Sequence, residues 1–453
     1  MTAQDITDLR STLKFLTSIP GQLVSIPTPV DPHCELVAVY KQAVGNCAAL
    51  FERVTGFDMP VAAGVLATRQ RTALFLGSSV DRLPFDLLEA TERPCPAVMV
   101  HEAPCQEVII RPPFDLRRLL PAPTHTPQDA GPYVTAGLVR AQDPETGESD
   151  VTIHRLCLHG ADMLSIYFAP GRHIDRFRAQ AERMGRALPV SVSIGLDPAV
   201  YLAACAPSPQ GFDELALAGA IRRRPVELVE CVSVRAQALA RAEIVIEGEI
   251  LPGVRVREDA PTLSGYAMPE FHGYMGVAQP EVPVIRATAI THRRNPIFQT
   301  IVGPAAERAN LIGIPTEARI LRETARALPG LLQNAYLHPA GGGTYLAILQ
   351  VAEPSSAGDN QRREAALLTL DICRELKQVI LVNEDVNIFD SDDVLWAMAT
   401  RCRGEMDITF RPGPELRFLG EASRTVLDCT VPYHLRDRLR RPKFGVVKAG
   451  TVG

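Results

Sequence analysis

The chain has 453 residues, 46% of them hydrophobic and 22% charged, with 47 Lys and Arg against 52 Asp and Glu for a net charge of −5. This composition is globular: it excludes disorder and fibrous repeats, and the acidic balance excludes a general binder of nucleic acid or membrane surfaces, which needs a basic excess. The length implies two or three domains with ample core.

The N-terminus, MTAQDITDLRSTLKF, has early acids and lacks the apolar run of a signal peptide. The longest stretch without charge, 327–352, is broken by Pro329, Pro339 and the glycines at 341–343. It reads as a loop joining two elements, not a membrane span. Ten scattered cysteines without a C-x-x-C argue against a disulfide framework or zinc ribbon, and most read as buried small apolar residues. A cytoplasmic protein is expected.

In chain order, the periodicity predicts a first helix over 7–16, with Leu9, Leu13 and Leu16 on one face. Short strands are expected over 61–67 and 73–76, and a helix over 81–93. A proline-rich stretch, 111–133, reads as a rigid connection. From 134 to 302 the pattern turns strand-like, through VTAGLVRA, DVTIHRLCL, LSIYFA, PVSVSIG, VELVECVSV, AEIVIEGEI and PVIRATAIT, with helices near 173–184 and 198–204. That succession predicts a barrel or strongly curved sheet. The last third alternates: helices at 317–327, 360–375 and 391–401 are interleaved with strands near 335–338, in TYLAILQV and in VILVNE, and Asp390 caps the third helix. The expected fold is α/β (α+β) in three parts, 1–110, 111–305 and 306–453.

Phosphate-loop, dinucleotide, nucleophile-elbow and zincin signatures are missing. The triple glycine at 341–343 precedes a strand, not a helix, and reads as a tight connection. In DVTIHR, alternation puts Asp150, Thr152 and His154 on one face and Arg155 on the other with Val151 and Ile153. Arg155 is then either a buried arginine that needs a partner carboxylate or phosphate, or a solvated charge on an edge strand. His173 and Glu214 each start a helix; with a further carboxylate they could bind a hard divalent ion, or serve as surface or capping residues. Glu258 and Glu270 lie in a loop-like stretch, VREDAPTLSGYAMPEFHGY, where Glu270 between Pro269 and Phe271 is a candidate proton donor or a plain loop charge. The basic runs Arg222, Arg223, Arg224 and Arg436, Arg438, Arg440, Arg441, Lys443 read as solvated faces or an interface rim.

Read together, DVTIHR, GRHIDRF, QGFDELALAGAIRRRPVELV, AEIVIEGE, PEFHGY, RRNPIFQTIVG and LKQVILVNEDVNIFDSDDVLWAMATR resemble, in order, the UbiD family of prenylated-FMN-dependent decarboxylases. The resemblance is strongest to its branch acting on protocatechuate (3,4-dihydroxybenzoate). It implies a central split β-barrel that binds the flavin, with an N-terminal α/β region and a C-terminal α/β domain that dimerises. It implies Mn²⁺ held by Asp150, His173 and Glu214, with K⁺ nearby, and a cofactor lined by Thr135, Asp150, Thr152, Ile153, His154, Arg155, Arg172, His173, Glu214 and Lys377. It further implies a catalytic Glu-Arg-Glu network of Glu258, Arg155 and Glu270. Two departures stand out: twelve positions separate the glutamates where the family spaces them closely, and Pro296 occupies a position where the protocatechuate branch carries His.

The function so implied is a reversible, non-oxidative decarboxylase of an aromatic or α,β-unsaturated acid, with Arg155 orienting the carboxylate and Glu270 giving the proton that replaces CO₂. A hydroxybenzoate is the first candidate substrate, an unsaturated aliphatic or heteroaromatic acid the second. A non-catalytic carboxylase subunit and a plain FMN oxidoreductase are the rivals. The partners implied are the small carboxylic acid, a flavin prenyltransferase that supplies the cofactor, and a second copy of the chain, with no nucleic acid and no membrane.

Overall fold

The computed structural model describes residues 2–207, 211–304, 306–352, 358–416 and 420–442. The chain divides into two compact units, Met1–Ala318 with Pro339–Gly343, and Arg319–His338 with Thr344–Gly453.

The first unit opens with the helix Leu9–Thr17, whose N-cap Asp8 accepts from the Ser11 N–H at 2.8 Å. Leu9, Leu13 and Leu16 are buried. A small sheet follows, ordered Leu23–Ile26, Ala48–Phe51, Val61–Ala63 and Phe298–Thr300. Its last strand returns from far along the chain, which local pattern could not reveal. The strand expected over 73–76 is instead the end of a helix, Arg69–Leu76. Thr68 caps it by accepting from the Arg71 N–H, and Gly77, at φ +63°, closes it in the left-handed region. The ALFL run mimics a strand only when those flanking caps are ignored.

The central sheet has nine strands. Along its ladder stand Tyr133–Val134, Leu156–Leu158, Met163–Ile166, Val282–His292, Ile244–Val256, Leu188–Ile194, Leu138–Gln142 and Ser149–Ile153, with Val108–Ile110 pairing on Val282–His292. Among the described residues the ladder does not close on itself, so the expected barrel is observed as an open path of strands. The DVTIHRLCL run is not one strand. Pairing with Leu138–Gln142 stops at Ile153, and pairing with Met163–Ile166 and Tyr133–Val134 begins at Leu156. His154 and Arg155 form the link between them, so strand alternation no longer assigns Arg155 to a face. Val134, Val139, Val190, Val192, Ile194, Ile244, Ile246 and Ile285 fill the core, which is why this region reads as β-branched runs.

Helices His173–Arg183 and Pro198–Ala203 lie where expected. VELVECVSV yields only the strand Glu227–Glu230, which pairs with Gln237–Leu239 and Val98–Met99 outside the central sheet. The loop-like stretch after Glu258 is ordered as the hairpin Tyr266–Pro269 and Met275–Val277. Arg222 is not solvated: its side chain is 6% exposed and pairs with Asp197 at 3.3 Å.

The second unit is a five-stranded sheet ordered Leu332–Leu337, Leu346–Val351, Gln378–Asn383, Gly420–Asp428 and Ile408–Leu416, parallel at its centre and antiparallel at both edges. Helices Gly358–Ile372 and Ser391–Arg401 supply its connections. Asp390 caps the latter as expected, accepting from the Asp392 N–H at 3.0 Å. The helix expected over 317–327 begins at Ala306 and carries Pro315 within it. Lys443 lies outside the described residues, and Arg441 pairs with Asp393 at 2.6 Å. Three cysteines are buried, the other seven are half-buried, and all ten are free thiols, fewer buried than expected. No helix among the described residues is long and apolar enough to cross a membrane.

Candidate active site

Arg155 stands in the two-residue link with its guanidinium over the Tyr167 ring, Cζ 4.3 Å from the centroid. Its Nε and Nη2 donate to the two oxygens of Glu258 at 2.8 and 2.9 Å, a fork matched to a carboxylate. Its Nη1 donates to Oε1 of Glu270. Thus one guanidinium serves two carboxylates, and their surroundings differ. The Glu258 side chain is 2% exposed and also accepts from the Gln279 N–H at 3.0 Å and the Tyr133 hydroxyl at 3.3 Å. The Glu270 side chain is 18% exposed, and its one donor among the described residues is Arg155. Burial opposes the Arg155 charge, but the two carboxylates outweigh it and raise its pKa. Burial pushes the Tyr133 phenol far up, so it remains a donor to Glu258.

The twelve-residue separation of the glutamates is taken up by local structure. Glu258 and Gln279 exchange a backbone bond, Glu258 N–H to Gln279 O at 2.9 Å, which closes the base of the excursion. Asp259 ties the turn by accepting from the Gly265 N–H at 2.7 Å. The strand Tyr266–Pro269 then delivers Glu270 at its end, where the Glu270 N–H donates to Tyr274 O at 2.8 Å. Gly276 faces it across the hairpin: a Cβ there would lie 2.8 Å from Glu270 Cγ and 2.9 Å from Met268 O. Only glycine leaves room for the glutamate side chain to reach Arg155.

Asp150 and Thr152 are buried, not solvated, although their strand ends the ladder. Asp150 Oδ1 lies 3.2 Å from His173 Nδ1. Burial raises the Asp150 pKa, with His173 opposing. Glu214 is buried at the head of the helix Glu214–Arg222 and, with Arg140, Glu148, Ser149, Val151 and Asp213, lines a cavity of about 230 Å³. Among the described residues no three His, Cys, Asp or Glu side chains stand together closely enough to hold a metal. The Asp150–His173 pair is assembled, and Glu214 is not drawn into one group with it. The donor types still suit a hard or borderline divalent ion such as Mn²⁺.

His154 is the clearest sign of a missing polar partner. It is buried against Phe168, with ring centroids 4.8 Å apart, and its Nε2 has no hydrogen-bond partner among the described residues. Burial, with the Arg172 charge, drives its pKa down to about 3, so the ring is neutral. A buried neutral imidazole with an unsatisfied nitrogen beside Thr152 and Ile153 fits a polar cofactor. The Thr135 hydroxyl is engaged within the protein, 2.9 Å from Thr300 Oγ1 and accepting from the Ile301 N–H at 2.9 Å. Arg172 is exposed at the start of the helix His173–Arg183. Lys377 belongs to the second unit, before the strand Gln378–Asn383, its Nζ 6.0 Å from the Tyr345 ring centroid. Pro296 is buried. Sequence reasoning missed Tyr133, Tyr167, Gln279 and Gly276; an aromatic in a strand-like run looks the same whether it packs a core or covers a guanidinium.

Profiles of three domains match the chain in succession: the 3-octaprenyl-4-hydroxybenzoate carboxy-lyase N-terminal domain over 18–91, its Rift-related domain over 97–305 and its C-terminal domain over 309–429. The gallate decarboxylase of Lactiplantibacillus plantarum is 40% identical, with 96% of each chain covered. Among solved structures, the apo 3,4-dihydroxybenzoic acid decarboxylase from Enterobacter cloacae matches with a TM-score of 0.95 at 46% identity, covering 98% of both chains. An evolved dimeric form of the UbiD-class enzyme HmfF from Pelotomaculum thermopropionicum, in complex with prFMN, matches at 0.87 with 37% identity, covering 96% of this chain and 97% of that one. As its motifs implied, the chain belongs to the UbiD family of carboxy-lyases.

Proposed function

We propose that this protein is a reversible, non-oxidative decarboxylase of an aromatic acid, a hydroxybenzoate first among them, working with prenylated FMN. The observation that carries the assignment of roles is the unequal pair of carboxylates on one guanidinium. Glu258, held by four donors, fixes Arg155. Glu270 has one donor among the described residues and partial solvent access, so it is the member of the pair we assign to giving the proton. Arg155, raised in pKa and held flat by Tyr167, presents a permanent positive charge that orients the substrate carboxylate. The C–CO₂ bond breaks with its electron pair left on the substrate carbon, and Glu270 delivers the proton to that carbon.

The cofactor, when bound, supplies the electron sink for decarboxylation. Thr135, Asp150, Thr152, Ile153, His154, Arg172 and Lys377 are the residues we assign to holding it, and Asp150, His173 and Glu214 to Mn²⁺, with K⁺ beside them. The unsatisfied His154 nitrogen and the prFMN complex of HmfF support the cofactor reading. The link at 154–155, which joins the last strand of the ladder to one near its other end, supports a split barrel for the part 111–305. We also infer a homodimer through 306–453 and a cytoplasmic location.

The test uses protein produced with and without a flavin prenyltransferase, offered hydroxybenzoic, heteroaromatic and long unsaturated acids. CO₂ release and deuterium uptake from D₂O are measured. Turnover of a hydroxybenzoate only in the co-produced protein is expected. Equal turnover with plain FMN, or full turnover by Glu270→Gln, overturns the reading.

A further inference from the structure

Among the described residues Glu270 has a single donor on its carboxylate, so its aim is set mainly by its own backbone, and the next residue shows what holds that backbone. We propose that Arg308, Phe271 and Gly342 form a clamp that sets the Glu270 carboxylate on Arg155; this rests on the proton-donor role proposed above. The Phe271 ring lies under the Arg308 guanidinium, Cζ 3.8 Å from its centroid. Arg308 Nη1 also donates to Gly342 O at 3.3 Å, so one cation ties the ring to the glycine turn. From the other side Gly342, at φ +63°, presses its bare Cα on Phe271: a Cβ there would run into the ring at Cδ2 and lie 3.0 Å from Phe271 O. Gly343, at φ +68°, does the same to Ala309, where a Cβ would lie 2.8 Å from its Cα.

The triple glycine therefore does more than connect two strands. Its turn, closed by the Gly342 N–H to Pro339 O bond at 2.8 Å, groups with the first unit and backs the tip of the hairpin. The strands below that tip are paired independently, Tyr266 with Val277 and Pro269 with Met275. Loss of the clamp should thus free the tip from 270 to 274 and leave the hairpin formed. Arg308, Phe271 and Gly342 are positioning residues: they act on the proton only through Glu270.

The experiment uses the holoenzyme for kinetics and the apo chain for labelling, with Phe271→Ala, Arg308→Leu, Phe271→Tyr and Glu270→Gln. In Phe271→Ala and Arg308→Leu, kcat is expected to fall about 10- to 100-fold with KM changed by less than about twofold, because the proton donor is misplaced by a fraction of an ångström to about 1 Å. Phe271→Tyr, which keeps the ring, should restore wild-type behaviour. In the apo chain, carbodiimide labelling of Glu270, read by peptide mass spectrometry, should quicken in the first two variants. Arg308→Leu leaves the ring in place and keeps the test valid if Phe271→Ala does not fold. Wild-type kcat and labelling rate in both variants, beside an inactive Glu270→Gln, would sink the clamp alone. A fully active Glu270→Gln would sink the proton-donor reading, while the labelling rates still decide the clamp.

Discussion

Two interior arginines in the first unit hold carboxylates in different ways. Arg69, on the helix Arg69–Leu76, grips Glu317 end-on: Nη1 and Nη2 reach its two oxygens at 2.9 and 2.6 Å, with side chains 6% and 0% exposed. Arg155 grips Glu258 side-on, through Nε and Nη2, and then takes on Glu270 as well. Both members of the first pair are buried, whereas Glu270 keeps 18% of its side chain exposed beside the guanidinium it shares. An open carboxylate beside a filled fork marks an ion pair that can react; a sealed fork braces. Glu307 marks a third case: among the described residues no arginine is in hydrogen-bond contact with it, and burial pushes its pKa to about 7 although the Leu66 N–H and the Arg71 charge oppose.

Substitution can pull these three cases apart. Arg155→Met should cost the most in chemistry, about 10²–10³ in kcat/KM, with the thermal midpoint moved by only a few degrees. Arg69→Met should reverse that pattern, leaving kcat per folded molecule unchanged and lowering the unfolding free energy in urea by about 3–5 kcal/mol, because Glu317 is left buried and unpaired. If both variants lost activity and stability in equal measure, the distinction between the open and the sealed fork would be wrong. Glu307→Gln addresses the third case through pH. The folded chain holds the Glu307 proton up to about pH 7 where the unfolded chain releases it near 4.5. Stability is therefore fullest below pH 4.5 and declines as pH rises to 7, a loss of roughly 3 kcal/mol that Glu307→Gln should abolish. Urea melts of both proteins at pH 5 and pH 8 would show it. Asp390→Ala, at an exposed cap in the second unit, sets the lower end of the scale at about 1 kcal/mol; a larger effect there than at Arg69 would upset the ranking.

Parts of this molecule were legible before any coordinates. Alternating β-branched runs announced the central sheet, and ordered blocks of polar residues singled out Arg155, Glu258 and Glu270. What stayed hidden was longer in range or smaller in scale. The strand Phe298–Thr300 pairs with Val61–Ala63 across most of the chain, and no local pattern records such a partner. The ALFL run looked like a strand because Thr68 and Gly77, the residues that make it a helix, sit just outside it. Tyr133 and Tyr167 gave no signal, since their roles depend on where another side chain arrives. The glycines at 341–343 were visible as a turn, while their close approach to Phe271 and Ala309 was not.

The link of His154 and Arg155 has a mechanical consequence. It joins Ser149–Ile153, the last strand of the ladder, to Leu156–Leu158, next to the strand at the other end. Covalent bonds thus fasten what hydrogen bonds leave open, and the fastening is short: the three peptide steps from Ile153 to Leu156 span at most about 11 Å. Arg155 is anchored from both margins at once, so tension on either is felt at the guanidinium. The excursion between the glutamates, closed at its base by the Glu258–Gln279 bond, has room for insertions that leave both its ends in place, but a residue gained or lost at the fastening would part the margins and carry the charge away with them.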